Sequence, residues 1–549
     1  MPSPVKISKF NISQLNRFID SKSVAIPGFQ RGYVWRVKQV KDLFDSLIKS
    51  YPVGSFIIWK TSKKIEGRTL NGEKLPSEKY LILDGQQRMS TLFYLCNQNK
   101  FIRNNVKTSF YENCEARQRS LIDFESFYFE RNGKGQELKY LKYGTKDFNY
   151  KRFQRLLGNY AFPVVVVSMD DYHKAVEIFE RINQSGTRIP TETIFLSETW
   201  NECCNFGKLI KRWKSSHPDS LTRDVDTVIF IHLFAIIFQL EDKNEKKTSI
   251  EISVRALKKI AEAIRAEKTD VYEKKFKRGI EAISWAARFL REEYGTEKIS
   301  DLPSQTMLTI LSVFFHYLKT TRPDNQQKKE LKKWFWRSSL SSRYIGSGYN
   351  ENIGPDSKQM VALATEHKGL DLPKAKLYFS DFEKMDLNTG RSTLRNAIKQ
   401  MLWLQNPIWI DGTPIAREDV DGKTHQKEDD HFYPYNFMEK GYIGEEINNI
   451  LNLNFLSKDQ NISKGKKIPS EWLQEKMEEF GADEKKMEIF FKRSLLPFES
   501  LKSLKKYNKG FIDKKGKVNP EKFEKRYRRF LWKRSNLFLE EFVRLQDGN

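Results

Sequence analysis

The chain has 549 residues, of which 39% are hydrophobic and 13% aromatic, with a mean hydropathy of -0.64 and a formal charge of +25 at pH 7. That length exceeds one compact core and predicts two to four domains, while the composition excludes global disorder. A pI near 9.5 points to a polyanionic partner, because clustered Lys and Arg displace counterions from phosphates. Nucleic acid is the natural candidate, with a Lys-rich solvated surface as the plainer alternative.

The four cysteines, Cys96, Cys114, Cys203 and Cys204, form no C-x-x-C pair, which argues against a zinc ribbon or a disulfide framework. Cys203 and Cys204 read as two semi-buried thiols on a helix, suited to a reducing cytoplasm. Residues 1–15 lack the apolar core of a signal peptide. The longest apolar run, 228–238 with His232 inside it, is too short to span a bilayer and predicts a buried helix. No membrane role is expected.

Residues 1 to about 195 mix short strands with amphipathic helices. The runs 56–59, 80–83 and 162–167 are apolar and bounded by turn or charged residues, as buried strands are. The second leads into Asp84-Gly85-Gln86-Gln87-Arg88 and then an amphipathic helix carrying Leu92 and Leu95. Gly85 lets backbone approach a phosphate, the helix start offers free N–H groups, and Arg88 can fork onto phosphate oxygens. Asp84 suits either Mg²⁺ or a helix N-cap paired with Arg88.

Together with the segment around Gln30, Arg31 and Trp35, and with Ile178-Phe-Glu-Arg-Ile-Asn183-Gln-Ser-Gly186-Thr187, this loop resembles the ParB/sulfiredoxin-like domain of the GmrSD family over most of residues 7–200. The resemblance implies nucleotide binding and hydrolysis by Asp84, Gly85, Gln86, Gln87 and Arg88, with Arg31 adding positive charge. For Asn183 and Gly186 a tight turn after a helix is favoured over nucleotide contact. The family joins this domain to a carboxy-terminal HNH nuclease and acts in type IV restriction of modified phage DNA.

From 196 to 400, apolar residues recur at helical spacing around 253–266, 276–290 and 307–318, which predicts a helical middle region with loops at 241–247 and 320–329. In the tail, Phe523, Tyr527, Phe530 and Leu531 share one helical face, and Lys525, Arg528 and Arg529 project away from it. The aromatics are expected in a core. The basic residues face either phosphates or solvent.

Between these lies the segment Asp430-His431-Phe-Tyr-Pro434, then Asn452-Leu453, then Asn461-x-x-Lys464. Phosphodiester cleavage needs a divalent cation and a base for water. Asp430 is a hard oxygen ligand and His431 an imidazole, the side-chain type suited to serve as the base. As strand neighbours they point to opposite faces, so a bend or hairpin must unite them. A strand at 454–456 and a helix starting near Asp459 would place Asn461 opposite Asp430 as a second oxygen on Mg²⁺, with Lys464 on the same face toward a phosphate.

The pattern resembles the HNH endonucleases. That resemblance implies Asp430 and Asn461 as metal ligands for Mg²⁺ or Mn²⁺, His431 as general base, and Asn452 as the residue that fixes the base. Asn454 competes for this last role, Phe432 replaces the usual aliphatic residue, and His425 matches no motif position.

The expected molecule is α+β and multidomain: a ParB/sulfiredoxin-like nucleotide and sensor domain (1–195), a helical middle region (196–400), and a ββα-metal HNH domain with a basic helical tail (401–549). It is expected to be a cytoplasmic endonuclease on double-stranded, modified or foreign DNA that uses a nucleoside triphosphate, with a homo-oligomer left open. The alternatives are a nucleotide-dependent DNA-binding switch without nuclease activity and an RNA-cutting toxin.

Overall fold

The computed structural model describes residues 5–96 in part, most of 141–148, 158–183, 191–199, and 205–548 apart from short stretches that include 242–249, 416–426, 436–447 and 458–462. They fall into two compact units, Met1–Glu202 and Cys203–Asn549. The region about residue 400 lies within a helix, Ser392–Leu404, in the interior of the larger unit.

The smaller unit is built on a mixed sheet. Its strands are β1 (Val5–Phe10), β2 (Val24–Pro27), β3 (Phe56–Thr61), β4 (Gly67–Thr69), β5 (Lys79–Asp84) and, beyond a separate ribbon of β6 (Leu141–Tyr143) and β7 (Lys146–Phe148), β8 (Phe162–Ser168). The order is β1-β8-β3-β5-β2-β4. All three strands expected from apolar runs are present. The run of four valines in β8 suits a pleated, enclosed surface, and β8 pairs with β3 in parallel from Phe56↔Val164 to Lys60↔Ser168.

Side chains on both faces of β5 are enclosed: Leu81, Ile82 and Leu83 are all fully buried. On one face Leu81 and Leu83 join Ala25 and Trp59 under Ala175, Val176 and Phe179. Burial of each such aliphatic side chain contributes about 1.5–3 kcal/mol. The helices of this unit are α1 (Gln86–Cys96), α2 (Tyr172–Asn183) and α3 (Thr191–Glu198). Asn183 ends α2, and Gly186 lies outside the described residues.

The larger unit is dominated by helices: α4 (Phe206–Ser216), α5 (Thr227–Glu241), α6 (Val254–Ala266), α7 (Val271–Tyr294), α8 (Thr306–Tyr317), α9 (Asn325–Leu340), α10 (Ser347–Glu366), α11 (Phe379–Glu383) and α12 (Ser392–Leu404). The apolar run at 228–238 is the buried helix it was expected to be, since α5 encloses Ile229, Phe230, Ile231 and Leu233 through Ile237. Its His232 faces the Tyr349 hydroxyl of α10.

The loop expected across 320–329 ends sooner than predicted. Asp324 accepts from the Gln327 backbone at 2.8 Å and the Gln327 side chain returns to the Asp324 backbone at 3.1 Å, a capping box that starts α9 at Asn325. The hydrophilic residues that suggested a loop are its first turn.

After β9 (Lys427–His431) and β10 (Leu453–Ser457) come α13 (Pro469–Glu479), α14 (Glu484–Arg493), α15 (Leu501–Asn508) and α16 (Pro520–Gln546). Phe523, Tyr527, Phe530 and Leu531 are buried on α16 while Lys525, Arg528 and Arg529 are exposed, as the sequence pattern requires. Among the described residues no helix is long and apolar enough to cross a membrane.

Candidate functional site

At the end of β5 the chain turns at Gly85, whose φ of +86° lies in the left-handed region, and α1 begins at Gln86. Gly85 therefore occupies the N-cap position, one residue after Asp84. A Cβ at Gly85 would approach Phe56 Cδ1 to 2.5 Å, so both backbone and space call for glycine.

Arg88 folds back over this turn. Its Nη2 donates to Asp84 Oδ2 and to the Ser55 carbonyl, each at 3.0 Å, while Nη1 donates to the Val53 carbonyl. The guanidinium thus ties the turn before β3 to the β5–α1 junction, and its side chain is 18% exposed. The Asp84–Arg88 pairing weighed from sequence is present. Gln86 is buried, Gln87 is half-buried, and Arg31 lies outside the described residues. Gln30 is also buried and donates to the carbonyls of Ile82 and Leu83 at 2.5 and 3.0 Å, bracing β5 just before the loop.

The second locus is the hairpin of β9 and β10. They pair antiparallel, with Leu453 opposite His431 and Asn454 opposite Asp430. The strand expected at 454–456 is thus present. Asn452 directs the chain where β9 ends: its Oδ1 accepts from the Tyr433 backbone N–H and its Nδ2 donates to the Tyr433 carbonyl, both at 2.9 Å. The Phe432 N–H donates to the Asn452 carbonyl at 2.7 Å. Asn452 is fully buried, so the turn after His431 depends on this amide for its hydrogen bonds.

Phe432 and Tyr433 anchor the turn to the unit's core. Phe432 stacks on Phe498 and Phe530 with centroids 6.0 and 5.7 Å apart, and Tyr433 meets Phe523, Tyr527 and Phe530 at 5.8, 5.8 and 5.1 Å. The Tyr433 hydroxyl donates to Asn508 Oδ1 at 2.9 Å. Arg534 completes the frame from α16, donating to the carbonyls of Leu451, Ser494 and Leu495 at 2.7, 2.9 and 3.1 Å. Burial pulls its basicity down to about 9.

On this frame Asp430 and His431 come together. Their side chains are each 14% exposed, and His431 Nδ1 lies 3.8 Å from Asp430 Oδ1. Burial works to raise the Asp430 carboxyl, but the neighbouring His431 side chain and the Lys464 ammonium outweigh it and hold the group below its ordinary value. Lys464 is buried, pairs with Asp430 Oδ2 and donates to the His431 carbonyl. Its ammonium is directed at β9, in contrast to the phosphate-facing role expected for it. Asn461, Asp459 and His425 lie outside the described residues, as do Cys114, Cys203 and Cys204.

Two residues near His431 were not singled out from sequence. His431 Nε2 is 2.8 Å from Asn448 Oδ1, and Asn448 Nδ2 donates to Asp386 Oδ2 at 2.7 Å. Asp386 follows α11, in the stretch read as helical middle region, and no motif spacing marks it. Asn448 opens the Asn-rich segment but occupies no motif position.

Asp430 offers a carboxylate oxygen, the hard donor type that a divalent cation takes. Asp430 is a carboxylate whose anionic form is favoured, and it already holds a cationic group. Magnesium keeps several waters and needs only one or two protein oxygens. Among the described residues no group of three or more His, Cys, Asp or Glu is placed to hold a metal ion.

Residues 12–200 match the family model described as the GmrSD restriction endonuclease, N-terminal domain. The chain is also 22% identical over 597 aligned positions to an uncharacterized protein of Methanocaldococcus jannaschii, with 95% of this chain and 96% of that protein covered. The smaller unit is therefore similar to the amino-terminal domain of a restriction endonuclease family.

Proposed function

We propose that this chain is a metal-dependent DNA endonuclease of a type IV restriction or phage-defence system, with an HNH-type centre in the larger unit and a nucleotide-hydrolysing sensor in the smaller one. The observation that carries this reading is the convergence of Asp430, His431 and Lys464 on one hairpin whose turn is held by the buried Asn452. A purely structural hairpin has no need of a histidine beside a carboxylate at its opening. The match of residues 12–200 to a restriction endonuclease family supports the same reading.

In this mechanism Asp430 and Asn461 are the residues that would hold Mg²⁺ or Mn²⁺. When bound, the cation would supply charge neutralisation at the scissile phosphate and its departing oxygen. His431 takes a proton from water as the water oxygen bonds to phosphorus and the bond to the leaving sugar oxygen breaks. Asn452 keeps the backbone after His431 in place, and Lys464 draws the Asp430 carboxylate and the His431 carbonyl together. Exposed Lys525, Arg528 and Arg529 on α16 offer positive charge to the DNA backbone.

In the smaller unit we assign nucleotide binding to the Asp84–Arg88 loop. Gly85 permits the close backbone turn and α1 presents its first N–H groups there. Nucleotide turnover or modified DNA at this unit then changes cleavage by the other. The test compares cleavage of modified and unmodified phage DNA with each nucleoside triphosphate, for wild type, Asp84→Ala and His431→Ala. The account expects His431→Ala to be inactive and Asp84→Ala to lose nucleotide dependence. Unaltered nucleotide dependence in Asp84→Ala would remove the coupling, and preferential degradation of RNA would replace DNA as substrate.

A further inference from the structure

We infer that Asn448 and Asp386 are positioning residues that fix the tautomer of His431, so that Nδ1 is the atom that accepts the proton; the inference rests on the nuclease reading for its catalytic meaning. An aspartate carboxylate only accepts hydrogen bonds. The end of the Asn448 amide that lies 2.7 Å from Asp386 Oδ2 is therefore Nδ2, its donor end. The orientation of an amide is an assignment from its hydrogen-bond partners, and here an acceptor-only partner dictates it. Asn448 Oδ1 consequently faces His431 Nε2 at 2.8 Å.

A carbonyl oxygen also only accepts, so Nε2 carries the hydrogen. Neutral imidazole has one N–H, which leaves the lone pair on Nδ1. That nitrogen is the one on the Asp430 side, 3.8 Å from Oδ1. The opposite tautomer would set the Nε2 lone pair against that of the Asn448 carbonyl.

Backbone pairing holds the relay rigid. The Leu387 N–H donates to the Asn448 carbonyl at 2.7 Å and the Ile450 N–H to the Met385 carbonyl at 2.8 Å. Between them the buried Asn449 donates through Nδ2 to the carbonyls of Phe382 and Glu383 at 2.9 and 2.8 Å. The nuclease hairpin is thus completed by a segment 62 residues before Asn448, an interval that the slowly growing loop-closure cost does not forbid.

The test uses the full chain with ¹⁵N-labelled histidine. His431 is one of seven histidines and is assigned by comparison with His431→Gln. At the alkaline plateau of its shifts, wild type should show a pyridine-type Nδ1 and a pyrrole-type Nε2. Asp386→Asn frees the Asn448 amide to turn, so both nitrogens should move toward intermediate shifts and kcat should fall on the order of 10- to 100-fold, as for other outer-shell partners, with KM for DNA unchanged. The exchanged pair Asp386→Asn/Asn448→Asp again presents an acceptor to Nε2 and should restore both shifts and kcat.

A wild-type His431 protonated on Nδ1 would overturn the inference, as would an exchanged pair that folds like wild type and recovers neither shift nor rate. The predicted tautomer in a protein that cuts no DNA would instead refute the nuclease reading and leave the positioning relay standing.

Discussion

Asn452→Leu removes an amide of nearly the same size and leaves two partners behind. In the native chain its side chain makes two 2.9 Å hydrogen bonds, one from the Tyr433 N–H and one to the Tyr433 carbonyl, at a position with no solvent exposure. Each orphaned buried backbone group costs about 1–3 kcal/mol, or roughly 2–6 kcal/mol for the pair. Burying an aliphatic side chain in place of an amide returns about 1–2 kcal/mol. The net expectation is a loss of about 2.5 kcal/mol, the middle of a range of about 0–5 kcal/mol, read as a lower urea midpoint at unchanged slope for the transition of the larger unit.

Displacement of the backbone after His431 by about 1 Å should lower kcat on the order of 100-fold. Asn452→Asp should be at least as damaging, since it keeps the acceptor but sets a second oxygen against the Tyr433 carbonyl. Asn454→Ala, at the position opposite Asp430, should shift the urea midpoint less. Native-like unfolding and cutting in Asn452→Leu, with the loss confined to Asn454→Ala, would refute this assignment and move the bracing role to Asn454.

Gly85→Ala forces a side chain into a φ of +86° and against Phe56 at 2.5 Å; strain and overpacking together predict about 2–4 kcal/mol lost from the smaller unit, visible as an earlier thermal transition of the full chain. Burial draws His232 down to about 4 from 6.5. The unfolded chain therefore takes up a proton as pH falls through 6.5 while the folded chain does not until about pH 4. Between pH 6.5 and 5 this costs about 2 kcal/mol of stability, and His232→Gln should flatten the dependence in that window. Glu241, held at about 2 chiefly by its hydrogen bond with His316, contributes stability that is present above its ordinary 4.5 and lost as pH falls toward 2, so its effect lies below that window.

Strands β3, β5 and β8 and helix α5 were legible because each is a dense apolar run with clear ends. The buried face of α16 followed from the spacing of Phe523, Tyr527, Phe530 and Leu531 alone. The start of α9 was misread because a polar first turn looks like a loop; the Asp324 and Gln327 capping box was the signal that corrects it. Asp430, His431 and Asn452 stood out because their chemistry and order are distinctive, and the structure brings them to one strand pair and its turn. Asp386 was not, since its role arises from a long-range backbone pairing between 385–387 and 448–450 that no local spacing encodes. Arg88 illustrates a different limit: sequence shows a guanidinium beside a glycine turn, but only the fold shows it engaged with the Val53 and Ser55 carbonyls.

The central claim is that Asp430 and His431 form a metal-dependent phosphodiesterase centre. Its most direct test is conversion of supercoiled plasmid to nicked or linear DNA by the full chain in Mg²⁺ or Mn²⁺, with and without nucleoside triphosphates and with DNA modifications supplied. The account predicts metal-dependent cutting by wild type that is lost in His431→Ala while DNA binding persists. Cutting that survives His431→Ala, or wild type that binds DNA and cuts none under any of these conditions, would contradict it; the second result would favour a nucleotide-dependent DNA-binding switch.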